Sequence, residues 1–366
     1  MESTESGGQA GKPLRGRIPA HGPDGRGQRA APERPGGKMA RILSVGGTFL
    51  GIALLVAAVW IFARTLHKYD MAEVVQRFGQ IPGSRIALAV LCVALSYATQ
   101  TVYDYLAALS VGLGIPPARA ALAAFIGNAF TNNIGFSLVT GTSLRYRFYL
   151  AWGYSPLEIT QVVALAKLAF CNGLFLFAGI AQILDPVRLP DSLSLPFSAR
   201  ALGWLLILPS ASLLIWNGLS RGSTLSLGKF RLVRPAQSLL ALQIAAACVH
   251  FAFAAGTLYY LLPAEALEAA GYRGPLTFLG AYMAVKFAVM FLPVPGSLGV
   301  FEGTAVAVLT PALPAYPVLG ALLAYRLLYY VLPFAVALPT LMIYELSARK
   351  GFLASFLRRR RAGGVA

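Results

Sequence analysis

The densest run of uncharged polar side chains in an otherwise apolar chain lies within residues 125–149, which read FIGNAFTNNIGFSLVTGTSLRYRFY. It combines amide and hydroxyl side chains with Gly127 and Gly141, which let the backbone bend, and Arg145 and Arg147 follow. Irregular polar backbone at membrane depth is tolerated only where protein buries it or where it lines a wet cavity. The run therefore predicts a broken or re-entrant helix beside a polar cavity inside a membrane.

The composition is that of a membrane protein. Of the 366 residues, 57% are hydrophobic and only 12% are charged, which is typical of a chain that crosses a bilayer several times. The net charge of +17 lies mainly in the tails and connecting loops. Basic loops of this kind stay cytoplasmic and attract anionic lipid head groups. A nucleic-acid-binding protein would need a basic folded face with interleaved aromatic residues, so we predict no nucleic-acid partner.

Uncharged runs of roughly 20 residues, enough to cross the hydrocarbon layer, predict the transmembrane helices. They lie near residues 42–63, 86–108, 159–184, 201–220, 235–262, 275–292 and 316–344. Segments 120–144 and 299–311 are ambiguous, the first because it is polar and the second because it is short. Two basic chain ends place both termini in the cytoplasm and require an even number of crossings. We therefore predict an all-α polytopic integral membrane protein with about eight transmembrane helices plus one or two re-entrant or broken helices.

The same pattern divides the chain into three regions. Residues 1–40 are rich in Gly, Pro and charge without apolar periodicity, which predicts a disordered basic cytoplasmic tail. Residues 41–346 form the predicted transmembrane domain, and residues 347–366 form a second basic cytoplasmic tail. The expected location is the bacterial cytoplasmic (inner) membrane.

Ionisable side chains at membrane depth are costly, so each one is a candidate site residue. Asp104 follows Gln100 by four residues, which places both side chains on one helix face. The other candidates of this kind are Lys167, Lys286, Glu302 and Arg326. A structural alternative remains open, in which these charges pair with one another and Lys167 extends toward the membrane surface.

Sequence patterns of catalytic and metal centres are missing. The chain has no Gly-x4-Gly-Lys-Ser/Thr phosphate loop and no His-Glu-x-x-His motif. Its three cysteines fall in apolar segments without paired spacing, and its three histidines are far apart in sequence. We therefore predict a protein that is not an enzyme and that uses no cofactor and no metal.

Three motifs carry a family resemblance: NAFTNNIGFSLVTGTSLRYRFY at residues 128–149, PGSLGVFE at 295–302 and YRLLYY at 325–330. With them the chain resembles the membrane region of bacterial lysylphosphatidylglycerol synthase/flippase proteins and the related stand-alone flippase-like membrane proteins. In full-length relatives, a soluble domain transfers lysine from its tRNA onto phosphatidylglycerol, and the membrane region moves the product lipid to the outer leaflet. Because the chain ends about twenty residues after its last predicted helix, we expect the transport region without the transferase domain. The resemblance implies functional roles for Asn128, Asn132, Asn133, Arg145, Arg147, Gly296, Gly299, Glu302 and Arg326.

The resulting expectation is lipid translocation through a polar intramembrane cavity, with a phospholipid such as aminoacylated phosphatidylglycerol as substrate. The basic side chains would hold the phosphate, while Asp104 and Glu302 would match a cationic head group or a proton. The alternative is a non-transporting lipid-binding or scaffold subunit that works with a separately encoded lipid-modifying transferase. Expected partners are therefore anionic or aminoacylated membrane phospholipids and, in the alternative, a separate enzyme.

Overall fold

A computed structural model of the chain describes residues 79–134, 140–184, 186, 198–220, 224–227, 230–290, 300–309, 312–313 and 315–362. The predicted tail at residues 1–40 and the first predicted helix at 42–63 lie outside these residues. In chain order the elements are α1 Gly83–Ser110, α2 Pro117–Ile134, α3 Thr140–Ala151, α4 Pro156–Leu184, α5 Ala199–Leu219, β1 Thr224–Leu227, β2 Phe230–Val233, α6 Gln237–Leu261, α7 Ala264–Ala269, α8 Leu279–Met290, α9 Val300–Leu309, α10 Ala315–Tyr325, a π-helical turn Arg326–Val331 and α11 Leu332–Ala362.

Long apolar helices form the framework of the molecule. Within the described ranges, five segments are long and apolar enough to cross a membrane: Gly83–Ser110, Pro156–Leu184, Arg200–Leu219, Gln237–Leu261 and Pro317–Ser347. Each of them overlaps a helix predicted from the uncharged runs. The predicted all-α, polytopic membrane fold is confirmed. The last helix continues beyond the predicted domain end at residue 346, because α11 reaches Ala362.

Two pairs of short helices interrupt this framework. The polar run is split into α2, with 18 residues, and α3, with 12 residues, which pack against each other. In the second half of the chain, α8 has 12 residues and packs against α9, which has 10. At 1.5 Å per residue, a 12-residue helix extends about 18 Å, well short of the ~30 Å hydrocarbon thickness. The helix predicted at 275–292 begins later than predicted, because a turn ending at Phe278 precedes α8.

The framework helices pack through small residues. Helix α1 lies along α6, and α4 packs against both α5 and α6. Gly179 of α4 faces Gly203 of α5 so closely that a Cβ added to Gly179 would lie 2.6 Å from the Gly203 carbonyl oxygen. This small-residue contact is typical of helix pairs in membranes, where close backbone approach replaces hydrophobic burial as the driving force.

Local sequence signals explain where the site-bearing helix α4 begins. The backbone N–H of Ser155 donates to Oε2 of Glu158 at 2.9 Å, and the backbone N–H of Glu158 donates to the Ser155 hydroxyl at 3.3 Å. This reciprocal capping satisfies amide groups that have no partner within the helix. Pro156 in the first turn needs no amide partner at all.

A short antiparallel hairpin is the exception to the helical architecture. Strands β1 and β2 pair with Thr224 opposite Val233, in the basic connection between α5 and α6. The backbone N–H of Val233 donates to Oε1 of Gln161 on α4 at 3.2 Å, which attaches the hairpin to the helical framework. The hairpin lies outside the candidate membrane-spanning segments of the described chain, all of which are helical.

Candidate functional site

A buried ion pair lies at the centre of the polar run. Arg145 on α3 donates a hydrogen bond from Nη2 to Oδ2 of Asp104 on α1. The two side chains are 5% and 4% exposed. Nη2 of Arg145 also donates to Oδ1 of Asn128 on α2 at 3.0 Å. Three helices, α1, α2 and α3, therefore meet at one guanidinium group.

Lys167 on α4 completes this group of side chains. We call Asp104, Asn128, Arg145 and Lys167 the Asp104 cluster, because all four line one small cavity together with Tyr103 and Phe170. The Nζ atom of Lys167 lies 5.8 Å from the centre of the Phe170 ring. Lys167 makes no salt bridge within the described residues, in contrast to Arg145.

The cavity of the Asp104 cluster is about 10 Å³ in volume. A single water molecule needs about 10–15 Å³, so a lipid head group does not fit in this conformation. The polar run is thus packed closely against its neighbours. Any larger ligand requires some of the four helices around the cavity to move apart.

Two glycines let α2 and α3 approach around the Arg145 side chain. A Cβ added to Gly141 would lie 3.0 Å from the carbonyl oxygen of Gly127, and it would also meet the Thr131 hydroxyl. A Cβ added to Gly127 would lie 3.1 Å from Nη1 of Arg145. Only glycine at these two positions leaves room for both the helix contact and the guanidinium group.

Several buried polar atoms around the Asp104 cluster have no hydrogen-bond partner among the described residues. They are Oδ1 of Asp104, Nδ2 of Asn128 and the hydroxyls of Thr131 and Thr142. Buried polar groups are normally satisfied, and exceptions commonly mark functional sites or places where water or ions bind. Asp104 and Asn128 line the cavity, so their atoms leave unused hydrogen-bonding capacity beside it.

A second group of charges lies in the other half of the chain. Glu302 on α9 accepts a hydrogen bond from Nε of Arg326 at 2.6 Å, and the two residues form a salt bridge. The Arg326 guanidinium also lies over the Tyr330 ring, 5.1 Å from its centre. We call Lys286, Glu302 and Arg326 the Glu302 cluster.

Lys286 on α8 is surrounded by aromatic residues. Its ammonium group interacts with the hydroxyls of Tyr282 and Tyr330. It also lies 5.7 Å from the centre of the Phe301 ring. The hydroxyl of Tyr282 is in turn 2.8 Å from that of Tyr325. Lys286 is therefore solvated by hydroxyls and ring faces.

Of the predicted asparagines, Asn133 connects α2 to the π-helical turn and Asn132 connects α2 to α1. Nδ2 of Asn133 donates to the carbonyl oxygens of Ala129 and Tyr330, both at 2.9 Å. Nδ2 of Asn132 donates to the Tyr97 hydroxyl at 3.0 Å. A π-helical turn leaves carbonyl groups without their usual helical partner and is frequent at functional sites. Asn133 uses one of these carbonyls to join the two halves of the molecule.

Gln100 belongs to a separate buried network. Its Nε2 lies 3.3 Å from Nδ1 of His250 on α6. The hydroxyl of Ser96 is 2.8 Å from the same nitrogen and 2.9 Å from the hydroxyl of Tyr329. This network links α1, α6 and the π-helical turn, one helical turn away from Asp104.

The remaining predicted residues lie elsewhere. Arg147 forms an ion pair with Glu345 of α11, where the side chains are 22% and 25% exposed. Nearby, Nε1 of Trp152 donates to the Tyr344 hydroxyl at 3.0 Å. Gly296 and Gly299 lie outside the described residues. The structure thus divides the described site residues between two charged clusters, the bridging residues Asn132 and Asn133, the buried network of Gln100 and one peripheral ion pair.

Sequence reasoning missed the aromatic residues that surround the two lysines. Tyr282 lies four residues before Lys286, and Phe170 lies three residues after Lys167. Residues at these spacings share one helix face, which is a usable sequence signal. Tyr103 and Tyr330 have no such signal, because they reach the clusters from other helices or from the π-helical turn.

Comparisons with known proteins agree with this architecture. A family described as the lysylphosphatidylglycerol synthase TM region matches residues 48–337. The uncharacterized protein slr0712 of Synechocystis is 32% identical over 308 residues, covering 84% of this chain and 94% of that protein. The inner membrane protein YbhN of Escherichia coli is 26% identical over 307 residues, covering 83% and 92%. The family resemblance that the three motifs predicted is thereby confirmed, and the chain belongs to the lysylphosphatidylglycerol synthase TM region family.

Proposed function

We propose that this multi-pass membrane protein translocates a phospholipid, whose head group passes through the polar interior while its acyl chains remain in hydrocarbon. The observation that carries this proposal is the Asp104 cluster, where buried charges and unsatisfied polar atoms from four helices surround one cavity. Ionisable groups inside membrane proteins usually mark substrate or ion pathways. The family description supports a phospholipid as the transported molecule.

Opening of the α2–α3 pair is the conformational step that this function requires. The cavity of about 10 Å³ is too small for a head group, so the described conformation is a closed state. Gly127 and Gly141 provide the close contact that would separate. Arg145 would then exchange part of its hydrogen bonding from Asp104 to the entering lipid.

The proposed setting is the bacterial cytoplasmic membrane with both termini in the cytoplasm. The basic chain ends support this orientation, because positively charged segments remain on the cytoplasmic side. Anionic and aminoacylated phospholipids are the two substrate classes to compare. No catalytic step is part of the proposal.

Reconstitution into proteoliposomes tests the function. Vesicles carry fluorescent phosphatidylglycerol, and dithionite reports how much of it reaches the outer leaflet. We expect faster exchange than in empty vesicles, and we expect Arg145→Gln that elutes as a monodisperse protein to lose the acceleration. The exposed-residue variant Arg200→Gln serves as the matched control and should retain it. Exchange no faster than in empty vesicles would refute translocation by this chain.

The closed cavity also favours a second candidate, a lipid-binding subunit that serves a separate lipid-modifying enzyme without moving lipid itself. Such a subunit would need no passage between α2 and α3. It predicts a co-purifying transferase and normal lipid retention, but no acceleration of exchange. Affinity purification from native membranes, followed by mass spectrometry of proteins and lipids, separates the two candidates.

A further inference from the structure

The Asp104 cluster and the Glu302 cluster each contain more basic than acidic side chains. The two charged clusters contain one carboxylate each, Asp104 on α1 and Glu302 in the first turn of α9. Each forms a salt bridge with an arginine, Arg145 or Arg326. Each pair is accompanied by one lysine from another helix, which gives each cluster one excess positive charge when that lysine is protonated.

The excess charge of the Asp104 cluster belongs to Lys167. Asp104 is already engaged by Arg145, and no other carboxylate among the described residues lines the cavity. Within the described residues, the Lys167 ammonium forms no salt bridge and lies over the face of the Phe170 ring. An ammonium at this depth lowers its cost either by releasing its proton or by binding an anion.

The Asn128 side chain supports the second of these outcomes, the binding of an anion beside Lys167. Its side chain is buried, and Oδ1 must face Arg145 because a guanidinium group only donates hydrogen bonds. The amide orientation is thereby determined, and Nδ2 is left as a donor without an acceptor beside the cavity. A protonated Lys167 also has only donors, so it cannot satisfy Nδ2 of Asn128. One anionic oxygen would serve both Lys167 and Asn128.

The Glu302 cluster repeats the same imbalance in the other half of the chain. Lys286 interacts with two tyrosine hydroxyls and one aromatic ring, while Arg326 engages Glu302. Two clusters with the same excess charge argue against a chance arrangement. They place positive charge beside both pairs of short helices, α2 with α3 and α8 with α9.

We propose that the Asp104 cluster binds the phosphodiester of an anionic phospholipid through Lys167 and Asn128, and that it selects this lipid over an aminoacylated one. This inference rests on the proposed lipid translocation and names its substrate class. An aminoacylated head group adds ammonium charge to the phosphate, so it would bring like charges together in a site that already has an excess. Phosphatidylglycerol supplies the one negative charge that the cluster lacks.

Lipid competition in detergent tests the charge preference. The purified full chain is titrated with phosphatidylglycerol, phosphatidylcholine or lysylphosphatidylglycerol in mixed micelles, and bound lipid is counted by native mass spectrometry. We expect phosphatidylglycerol to bind about tenfold more tightly than lysylphosphatidylglycerol, which is the scale of one charge-assisted contact. Equal binding of the two lipids would overturn the proposal.

Variants separate the site from lipid at the protein surface. Lys167→Gln should lose the preference, Lys167→Arg should keep it because the charge remains, and the exposed control Arg200→Gln should also keep it. If Lys167→Gln does not fold, the site is tested instead with Asn128→Leu, which removes the amide donor and should weaken phosphatidylglycerol binding severalfold. An unchanged preference in the folded neutral variants would overturn the assignment. Inorganic phosphate at millimolar concentration should not compete, and full competition would assign a free-anion site instead.

The experiments distinguish a failure of the proposed lipid selectivity from a failure of the proposed translocation. If lipid exchange is absent but the charge preference and its dependence on Lys167 persist, translocation fails and the binding site stands. If exchange is accelerated equally for both lipid classes, translocation stands and the proposed selectivity fails.

Discussion

Arg145 donates a hydrogen bond to Asp104 across the α1–α3 interface, with both side chains more than nine-tenths buried. The residues are 41 positions apart in sequence, so the pair joins two separate helices at membrane depth. Removing one member of a buried ion pair leaves an uncompensated charge, which costs far more than the pair contributes as a whole. This asymmetry makes the three ion pairs of the described chain experimentally distinguishable.

Neutralising the acidic residue of each ion pair should destabilise the protein, and the loss should be larger where that residue is more deeply buried. Glu345 is 25% exposed, Glu302 is 16% exposed and Asp104 is 4% exposed. We expect Asp104→Asn to lower the free energy of unfolding by about 3 kcal/mol and Glu345→Gln by less than about 1 kcal/mol, with Glu302→Gln between them. Unfolding in a neutral detergent, followed by tryptophan fluorescence, measures the series. Equal losses at all three positions would contradict the ranking.

Removing both charges of the buried pair should cost less than removing one. In Asp104→Asn combined with Arg145→Gln, no unpaired charge remains between α1 and α3, so we expect most of the lost stability to return. A double-mutant cycle on unfolding free energies gives the interaction energy. Additive losses would show that the two side chains act independently.

The glycine contact between α2 and α3 can be tested with a series of alanine variants. In Gly141→Ala the added methyl would lie 3.0 Å from the backbone oxygen of Gly127, which cannot move without shifting the helix. We expect a loss of about 2 kcal/mol, typical of overpacking, and a smaller loss for Gly127→Ala because the nearest atoms belong to the Arg145 side chain. Gly303→Ala is the control, since nothing lies within 4 Å of the added Cβ, and it should be neutral or stabilising. Thermal unfolding of the three variants provides the comparison.

Asn133 should contribute more to stability than an asparagine with only local contacts. Asn133→Ala removes hydrogen bonds to Ala129 and to Tyr330 in the π-helical turn, and we expect a loss of about 1–2 kcal/mol. Asn172 donates only to the Leu168 carbonyl four residues earlier, so Asn172→Ala should cost less. Hydrogen exchange at residues 326–331 should increase in Asn133→Ala and stay unchanged in the control. Unchanged hydrogen exchange in Asn133→Ala would show that the Asn133 side chain does not stabilise the π-helical turn.

Helix breaks and buried charges were predictable because both leave local signals. Glycines and amides interrupt an apolar run at 125–149, and single charges stand out in helices that otherwise lack them. The pairing of Arg145 with Asp104 rather than with Glu302 was not predictable, since both choices satisfy the same charge rule. It depends on which helices become neighbours.

The π-helical turn had no sequence signal either. YRLLYY has the apolar and aromatic pattern of an ordinary helix, and the turn forms where Asn133 and Tyr97 donate to the carbonyls of Tyr330 and Tyr329. Those donors come from α2 and α1, so tertiary packing determines the local backbone. The small size of the cavity follows from the same packing and was likewise outside the reach of sequence reasoning, which had predicted a wet space.

Two basic residues of one cavity should respond to neutralisation with opposite signs. Arg145 compensates Asp104, so Arg145→Met leaves a buried carboxylate without a partner and should destabilise the lipid-free protein. Lys167 forms no salt bridge with a carboxylate of the described chain, so Lys167→Met removes an uncompensated charge and should stabilise the same preparation by about 1 kcal/mol. Unfolding in a neutral detergent after extensive delipidation measures both variants under identical conditions. A loss of stability in Lys167→Met would mean that the ammonium is already compensated, and the excess positive charge assigned to this cavity would disappear with it.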